Sequence, residues 1–414
     1  MILSSIRVQR LTPLTFALAS LAAMPGQATI VQGGASEAQD AQVLAAAHQL
    51  ARQHPSAVCV MVKRDLFAPS YAWHSGVWVG SDPKGQLGYI LTAAHSYFSK
   101  PTDAEPMQPV HSMACFGVAP REAVLVPISR VIIHPERKPC VSLEGGRILP
   151  GVNDLALLEF PLDASREQLE RRGIGPARIP EEPEASMLEN AELRIVGAGP
   201  YSTSTSLKVN REPYRLHAGH MRVTQGTFQG QTGLFSWSFV STAEHPNRPD
   251  PEAPGGDLIS VPFVHTREAV TMQDAEGSRF LVQSPSVHQI LPNPGDSGSP
   301  GFQEDKAGDW RLKGIYCRSN LLDVVLPEHP EAPFWCHWSF FEPLGAGTLA
   351  WIKAVQEGNP GSSAIVVYDT GPSSAMWEPF LAHSVLKIPF KKPMPILDQR
   401  VVPEWGKLFR STGS

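Results

Sequence analysis

The hydrophobic positions of this chain fall in short runs, not in long helical stripes. Ala57–Val62 (A-V-C-V-M-V), Gly76–Gly80 (G-V-W-V-G) and Tyr89–Ala94 (Y-I-L-T-A-A) are apolar and rich in β-branched or aromatic residues. Ala123–Val126, Arg130–Ile133, Leu193–Gly199, Phe280–Val282 and Leu312–Cys317 have the same character, and Tyr214–Val223 reads as a strand pair. Runs of this length bounded by Gly, Pro, Asp and Ser predict buried or half-buried strands. Ser81–Gly85 reads as a turn between two of them. The Ala-rich run Ala35–Gln53 predicts a helix. Pro161 to Ser186 is charged and Pro-rich, a linker pattern, and Gly226 to Ser278 reads as an insertion or a set of surface loops.

Composition sharpens this picture. The 414 residues suffice for two or three compact units. With 39 prolines and 34 glycines, loops and short strands are expected over long helices. A hydrophobic fraction of 42% and a charged fraction of 18% fit a globular protein. The formal net charge of -5 makes no electrostatic case for nucleic acid or an anionic membrane. Residues 1–28 read as a secretory signal: Arg7 and Arg10, then the apolar run Leu11 to Met24, then Gly26-Gln27-Ala28 at the cleavage positions. Export to the periplasm or the medium is therefore expected, without stable membrane insertion. No cysteine spacing resembles a zinc site, and no metal or organic cofactor is expected.

The chemistry concentrates in Asn293-Pro294-Gly295-Asp296-Ser297-Gly298-Ser299-Pro300. A hydroxyl between two glycines suits a sharp turn that aims backbone N–H groups at one point. Such a serine needs a base, and the base an orienting acid. His95 ends the apolar run L-T-A-A-H, and Asp154 opens the run N-D-L-A-L-L.

L-T-A-A-H, N-D-L-A-L-L and G-D-S-G, in that order, resemble the trypsin/chymotrypsin-like serine proteases, whose chain order is also His, Asp, Ser. The resemblance covers roughly residues 57–356. It implies an all-β fold of two six-stranded antiparallel barrels, about 57–160 and 190–345, closed by a C-terminal helix over Gly347–Val355. Residues 29–56 then form an N-terminal linker and helix, and 357–414 a C-terminal extension beyond the fold, in which Ile365–Tyr368 could add a strand. His95, Asp154 and Ser297 take the catalytic roles in hydrolysis of protein or peptide substrates. The amides of Gly295 and Ser297 form the oxyanion hole. Asp296 takes the activation role that, in the family, pairs with a new N-terminal amine; Ile30-Val31-Gln32-Gly33-Gly34 resembles the family's mature start, and a linker reading stands beside it.

The resemblance places Leu291 at the base of the specificity pocket, with Pro292, Cys317, Arg318 and Ser319 as its walls. Leu291 argues against Lys/Arg substrates and for an apolar or small side chain, with Arg318 as an alternative attraction for an acidic one. Since a base histidine must start neutral, activity is expected to rise through about pH 6–7. The five cysteines suggest Cys317 paired with Cys336 and one pair among Cys59, Cys115 and Cys140. Cys317 also stands where many members carry a serine that donates to the Asp, which leaves the hold on Asp154 weaker. A non-catalytic binding module on the same fold is the alternative. The sequence leaves the natural substrate, the activation route and the oligomeric state open.

Overall fold

The computed structural model describes residues 29–31, 37–63, 72–107, 111–118, 123–142, 148–149, 151–181, 188, 191–199, 201–203, 215–228, 231–241, 270–273, 279–282, 290–292, 295–326, 329–359 and 365–368. The leader read at 1–28 lies outside them, as does most of the extension.

Along the chain, β1 (Thr29–Val31) and α1 (Glu37–Ala51) come first. They are followed by β2 (Ala57–Lys63), β3 (Ala72–Ser81), β4 (Leu87–Ala93), β5 (His111–Phe116), β6 (Val124–Pro127) and β7 (Arg130–Ile133). A small ribbon, β8 (Val141–Ser142) with β9 (Ile148–Leu149), precedes β10 (Leu155–Pro161) and the short helix α2 (Arg166–Arg171). The second half contains β11 (Ala191–Gly197), β12 (Tyr201–Thr203), β13 (His217–Phe228), β14 (Gln231–Ser241), β15 (Val270–Gln273), β16 (Arg279–Val282) and β17 (Ile290–Leu291). It ends with β18 (Pro300–Glu304), β19 (Trp310–Leu326), β20 (His329–Pro343), α3 (Ala346–Gln356) and β21 (Ile365–Tyr368).

The first sheet has the order β21-β7-β10-β4-β3-β2-β5-β6. It curls because β6 and β7 are successive segments broken at Ile128–Ser129. The Ile128 N–H donates to Ser112 O on β5 at 3.0 Å, and the Ser129 N–H to Glu159 O on β10 at 2.8 Å. That corner ties one edge of the sheet back to its interior. Eight segments stand where six strands were expected: one strand is split at the corner, and β21 adds another from the extension. Ile365–Tyr368 pairs with β7, Ile365 opposite Ile133, so it belongs to the barrel sheet and not beyond the fold.

The second barrel is closed, β11-β13-β14-β20-β19-β18. It corrects two expectations. Residues 231–241, read as part of an insertion, form the barrel strand β14. Their glycine and serines mimic a loop, while Leu234 and Phe235 are buried. Residues 217–228 form one long strand, not a pair. Phe280–Val282 is a strand, but it pairs with β15 in a separate ribbon.

Burial follows the strand period. Val58, Val60 and Val62 of β2 point into one apolar cluster with Ile90, Phe116, Leu158 and Phe160, while Ala57, Cys59 and Met61 point into another. Both faces are buried, which is why the segment reads as a continuous apolar run. Leu193, Ile195, Met221, Leu234 and Phe341 fill the second barrel. α3 lays Leu349, Ile352 and Val355 onto the shared core. The segment 29–56 is more than a linker. β1 pairs with β12 and β17, and His48 of α1 places its Nδ1 2.8 Å from Leu216 O. Among the described residues no helix is long and apolar enough to cross a membrane.

The expected disulfides are not formed. Cys59, Cys115, Cys140 and Cys317 are free thiols, all buried. The β19–β20 register puts Leu322 opposite Cys336, while Cys317 sits at the bulge between Tyr316 and Arg318, too far along the strand to reach it. Cys59 and Cys115 face each other across β2 and β5 without a disulfide between them.

Candidate active site

Three local structures deliver three side chains to one point between the barrels. β4 runs into a 3-10 turn, Ala94–Tyr97, that carries His95. Asp154 stands just before β10, after Asn153 in the left-handed region at φ 51. Asparagine tolerates that conformation better than most residues, and its Nδ2 donates to Glu136 O at 3.4 Å. Ser297 lies between Gly295 at φ 100 and Gly298 at φ 88, both in the region that favours glycine. A Cβ on Gly298 would also overlap Ser75 O and Thr92 Oγ1 of the first barrel.

The three side chains form a continuous relay. His95 Nδ1 lies 2.6 Å from Asp154 Oδ2, and His95 Nε2 lies 2.8 Å from Ser297 Oγ. The carboxylate accepts the Nδ1–H, which leaves Nε2 free to accept the serine proton. The His95 backbone N–H donates to Asp154 Oδ1 at 2.9 Å, fixing the carboxylate's rotation. Burial pushes the Asp154 carboxyl upward, but His95 and then Arg137 outweigh it and hold it below the usual carboxylate range. Asp154 is therefore an anion, the state that supports an imidazolium.

The sequence left open how Asp154 is held if Cys317 is a poor donor. Cys317 Sγ does reach the Asp154 carbonyl, at 3.7 Å, but not its carboxylate. The carboxylate is met instead by Arg137, whose Nε donates to Oδ1 at 3.3 Å. From the second barrel, Glu342 Oε1 accepts the Asp154 N–H at 3.3 Å. Neither residue stood out in the sequence, because no local motif announces either.

The loop before Ser297 is also pinned. Asp296 is 1% exposed, and its Oδ1 accepts the Gly199 N–H at 2.9 Å. His217 Nε2 approaches the same oxygen within 3.5 Å. Gly197 and Gly199 are required there: a Cβ on either would collide with Asp296 Oδ1. The Ser297 carbonyl accepts the Ser75 N–H at 2.8 Å, and Ser75 Oγ accepts the Ala198 N–H at 2.9 Å. Ser75 is thus a joint between the barrels that sequence reading missed.

Of the residues assigned to a specificity pocket, Leu291 lies in β17 opposite Ile30. Pro292 is buried, and its carbonyl accepts the Tyr316 hydroxyl at 3.2 Å. Cys317, Arg318 and Ser319 follow one another on β19. Arg318 is half-buried and turns its Nη1 toward Cys140 Sγ at 3.1 Å. His134 is buried against Trp351, ring centres 4.6 Å apart.

The sequence matches no protein-family model and no curated protein sequence. Solved structures do resemble it in fold. HL collagenase aligns with 74% of this chain and 94% of its own, at 18% identity and a TM-score of 0.36. The active form of the Rv3671c protease from M. tuberculosis aligns with 81% of this chain and 93% of its own, at 12% identity and 0.31. The VesB protease of Vibrio cholerae aligns with 73% of this chain and 64% of its own, at 12% identity and 0.32. All three carry protease names.

Proposed function

We propose that the chain is a serine endopeptidase working through His95, Asp154 and Ser297. The observation that carries this reading is the unbroken relay from Asp154 Oδ2 through both His95 nitrogens to Ser297 Oγ, at 2.6 and 2.8 Å. Ser297 Oγ attacks the substrate carbonyl while His95 Nε2 takes its proton. The bond from carbonyl carbon to leaving nitrogen then breaks, and the same proton passes to the departing amine. Water repeats the sequence to release the acyl group and restore Ser297. Asp154 stabilises the imidazolium at each stage. The Gly295 and Ser297 amides are assigned to the developing oxyanion, for which the left-handed turns at Gly295 and Gly298 supply a suitable backbone. Protein or peptide substrates, with an apolar or small side chain before the scissile bond, and export of the chain belong to the same proposal.

Fluorophosphonate labelling of the full chain, with the adduct located by mass spectrometry, tests it. A single adduct on Ser297, lost in Ser297→Ala and in His95→Ala, is expected. Absence of any adduct on a folded wild-type chain would leave the inactive binding module as the better reading.

A further inference from the structure

Behind the relay lies a second buried carboxyl that the proposed mechanism does not use. Glu342 sits near the end of β20, in register with Ile315 of β19, and is 6% exposed. It belongs to the second barrel, whereas His95 and Asp154 belong to the first. Its Oε1 accepts the backbone N–H of Asp154 at 3.3 Å. That amide follows directly on Asn153, which takes φ 51. A left-handed asparagine persists only where its surroundings hold it. Around this turn the Ala94 N–H donates to the Asp154 carbonyl at 2.9 Å and Cys317 Sγ approaches that carbonyl at 3.7 Å, while the Asp154 N–H is taken up by Glu342 from the other barrel.

We propose that Glu342 is a positioning residue for Asp154: reaching across from the second barrel, its carboxyl clamps the left-handed Asn153–Asp154 turn and so fixes the carboxylate that orients His95. This rests on the protease reading for its consequence in rate, but the clamp itself is a statement about geometry. The groups that face Glu342 are Asp154 from the first barrel and Cys317 from β19, with Arg137 and His95 beyond Asp154. Burial pushes the Glu342 carboxyl up to about 8, and the nearby Asp154 charge adds to the rise. At neutral pH the clamp is therefore neutral and does not compete with Asp154 for His95. As it ionises, a second negative charge appears behind Asp154 and favours the imidazolium.

The test compares wild type, Glu342→Ala and Glu342→Gln as full-length chains. It follows the fluorophosphonate labelling rate from pH 6 to 10 and the low-field proton signal of the His95 Nδ1–H to Asp154 bond. Alanine removes the acceptor, and labelling at pH 7 falls about 10–100-fold, as expected when a reacting group is displaced by about 1 Å. Glutamine keeps an acceptor oxygen and recovers labelling at pH 7 to within about threefold of wild type, but loses the upward step near pH 8. Equal labelling of wild type and the alanine variant would overturn the proposal. If the alanine variant does not fold, the glutamine profile decides: a retained step near pH 8 overturns it, and a lost step supports it. If wild type itself fails to label, the protease reading falls. The low-field signal then judges the clamp: lost in alanine and kept in glutamine supports it, and no change in either overturns it.

Discussion

Arg137 Nε donates to Asp154 Oδ1 at 3.3 Å while its guanidinium carbon lies 3.6 Å from the centre of the Phe98 ring. The same guanidinium donates to the carbonyls of Asp103 and Pro101, at 3.3 and 3.4 Å. A fork held on three sides cannot swing away from the carboxylate. Arg137→Met keeps much of the apolar contact and removes the charge. Labelling of Ser297 should fall roughly tenfold or more, since positioning of the relay is lost. The pH dependence of stability should shift as well. Asp154 is held below its unfolded value, so its contribution is present above the ordinary carboxylate range and is lost as pH falls through the folded value. Without Arg137 that folded value rises, and acid unfolding followed by circular dichroism should begin at higher pH.

Glu342 has the opposite sign. Its folded value is raised to about 8 from 4.5, so between these limits the native state holds a proton that the unfolded chain has lost. Its contribution is largest below about pH 4.5 and is lost as pH rises toward 8. Urea unfolding at pH 5 and pH 9 should therefore show a smaller loss of stability with pH for Glu342→Gln than for wild type.

The two glycines facing Asp296 predict a sharp contrast. Gly197→Ala drives a methyl group into Asp296 Oδ1 and should displace the loop ahead of Ser297, cutting labelling about 100-fold. Gly226→Ala, in the same barrel but facing open space, should label normally. Labelling rates of the two variants under identical conditions check the pair.

Ser75 joins the barrels through its N–H and its hydroxyl. Ser75→Ala leaves the Ala198 N–H buried without its acceptor, a loss of about 1–3 kcal/mol. Denaturant unfolding measures it.

How much of this was legible in the sequence divides along a physical line. His95, Asp154 and Ser297 could be found because each depends on a local backbone need: small residues before a tight turn, asparagine at a left-handed position, glycines either side of an elbow. α1 was legible from its Ala-rich composition, and α3 from the family resemblance. Arg137, Glu342, Ser75 and His217 were not. Each acts on a partner brought near only by the packing of the barrels, and a lone arginine or glutamate in a strand or loop looks the same whether it meets solvent or an aspartate. β14 was missed because Gly233, Ser236 and Ser238 imitate a loop. The cysteine pairing failed for a related reason: parity of count says nothing about strand register.

The free thiols give a further check. Burial pushes the Cys115, Cys140 and Cys317 thiols upward, which disfavours the reactive thiolate. With Cys59, these should resist a thiol reagent in the native chain and react once it is unfolded, without prior reduction. Peptide mapping of the modified cysteines separates them from Cys336.

The pairing of β21 with β7 also bears on the order of assembly. β7 leaves the ribosome early, yet the strand that covers its outer edge is made only after the whole second barrel. Until then that edge presents unpaired amides and carbonyls, the kind of surface on which chains add to one another. The first barrel is begun first and finished last, so a nascent chain of this protein depends on holding one open edge out of reach of its neighbours until its own late strand arrives.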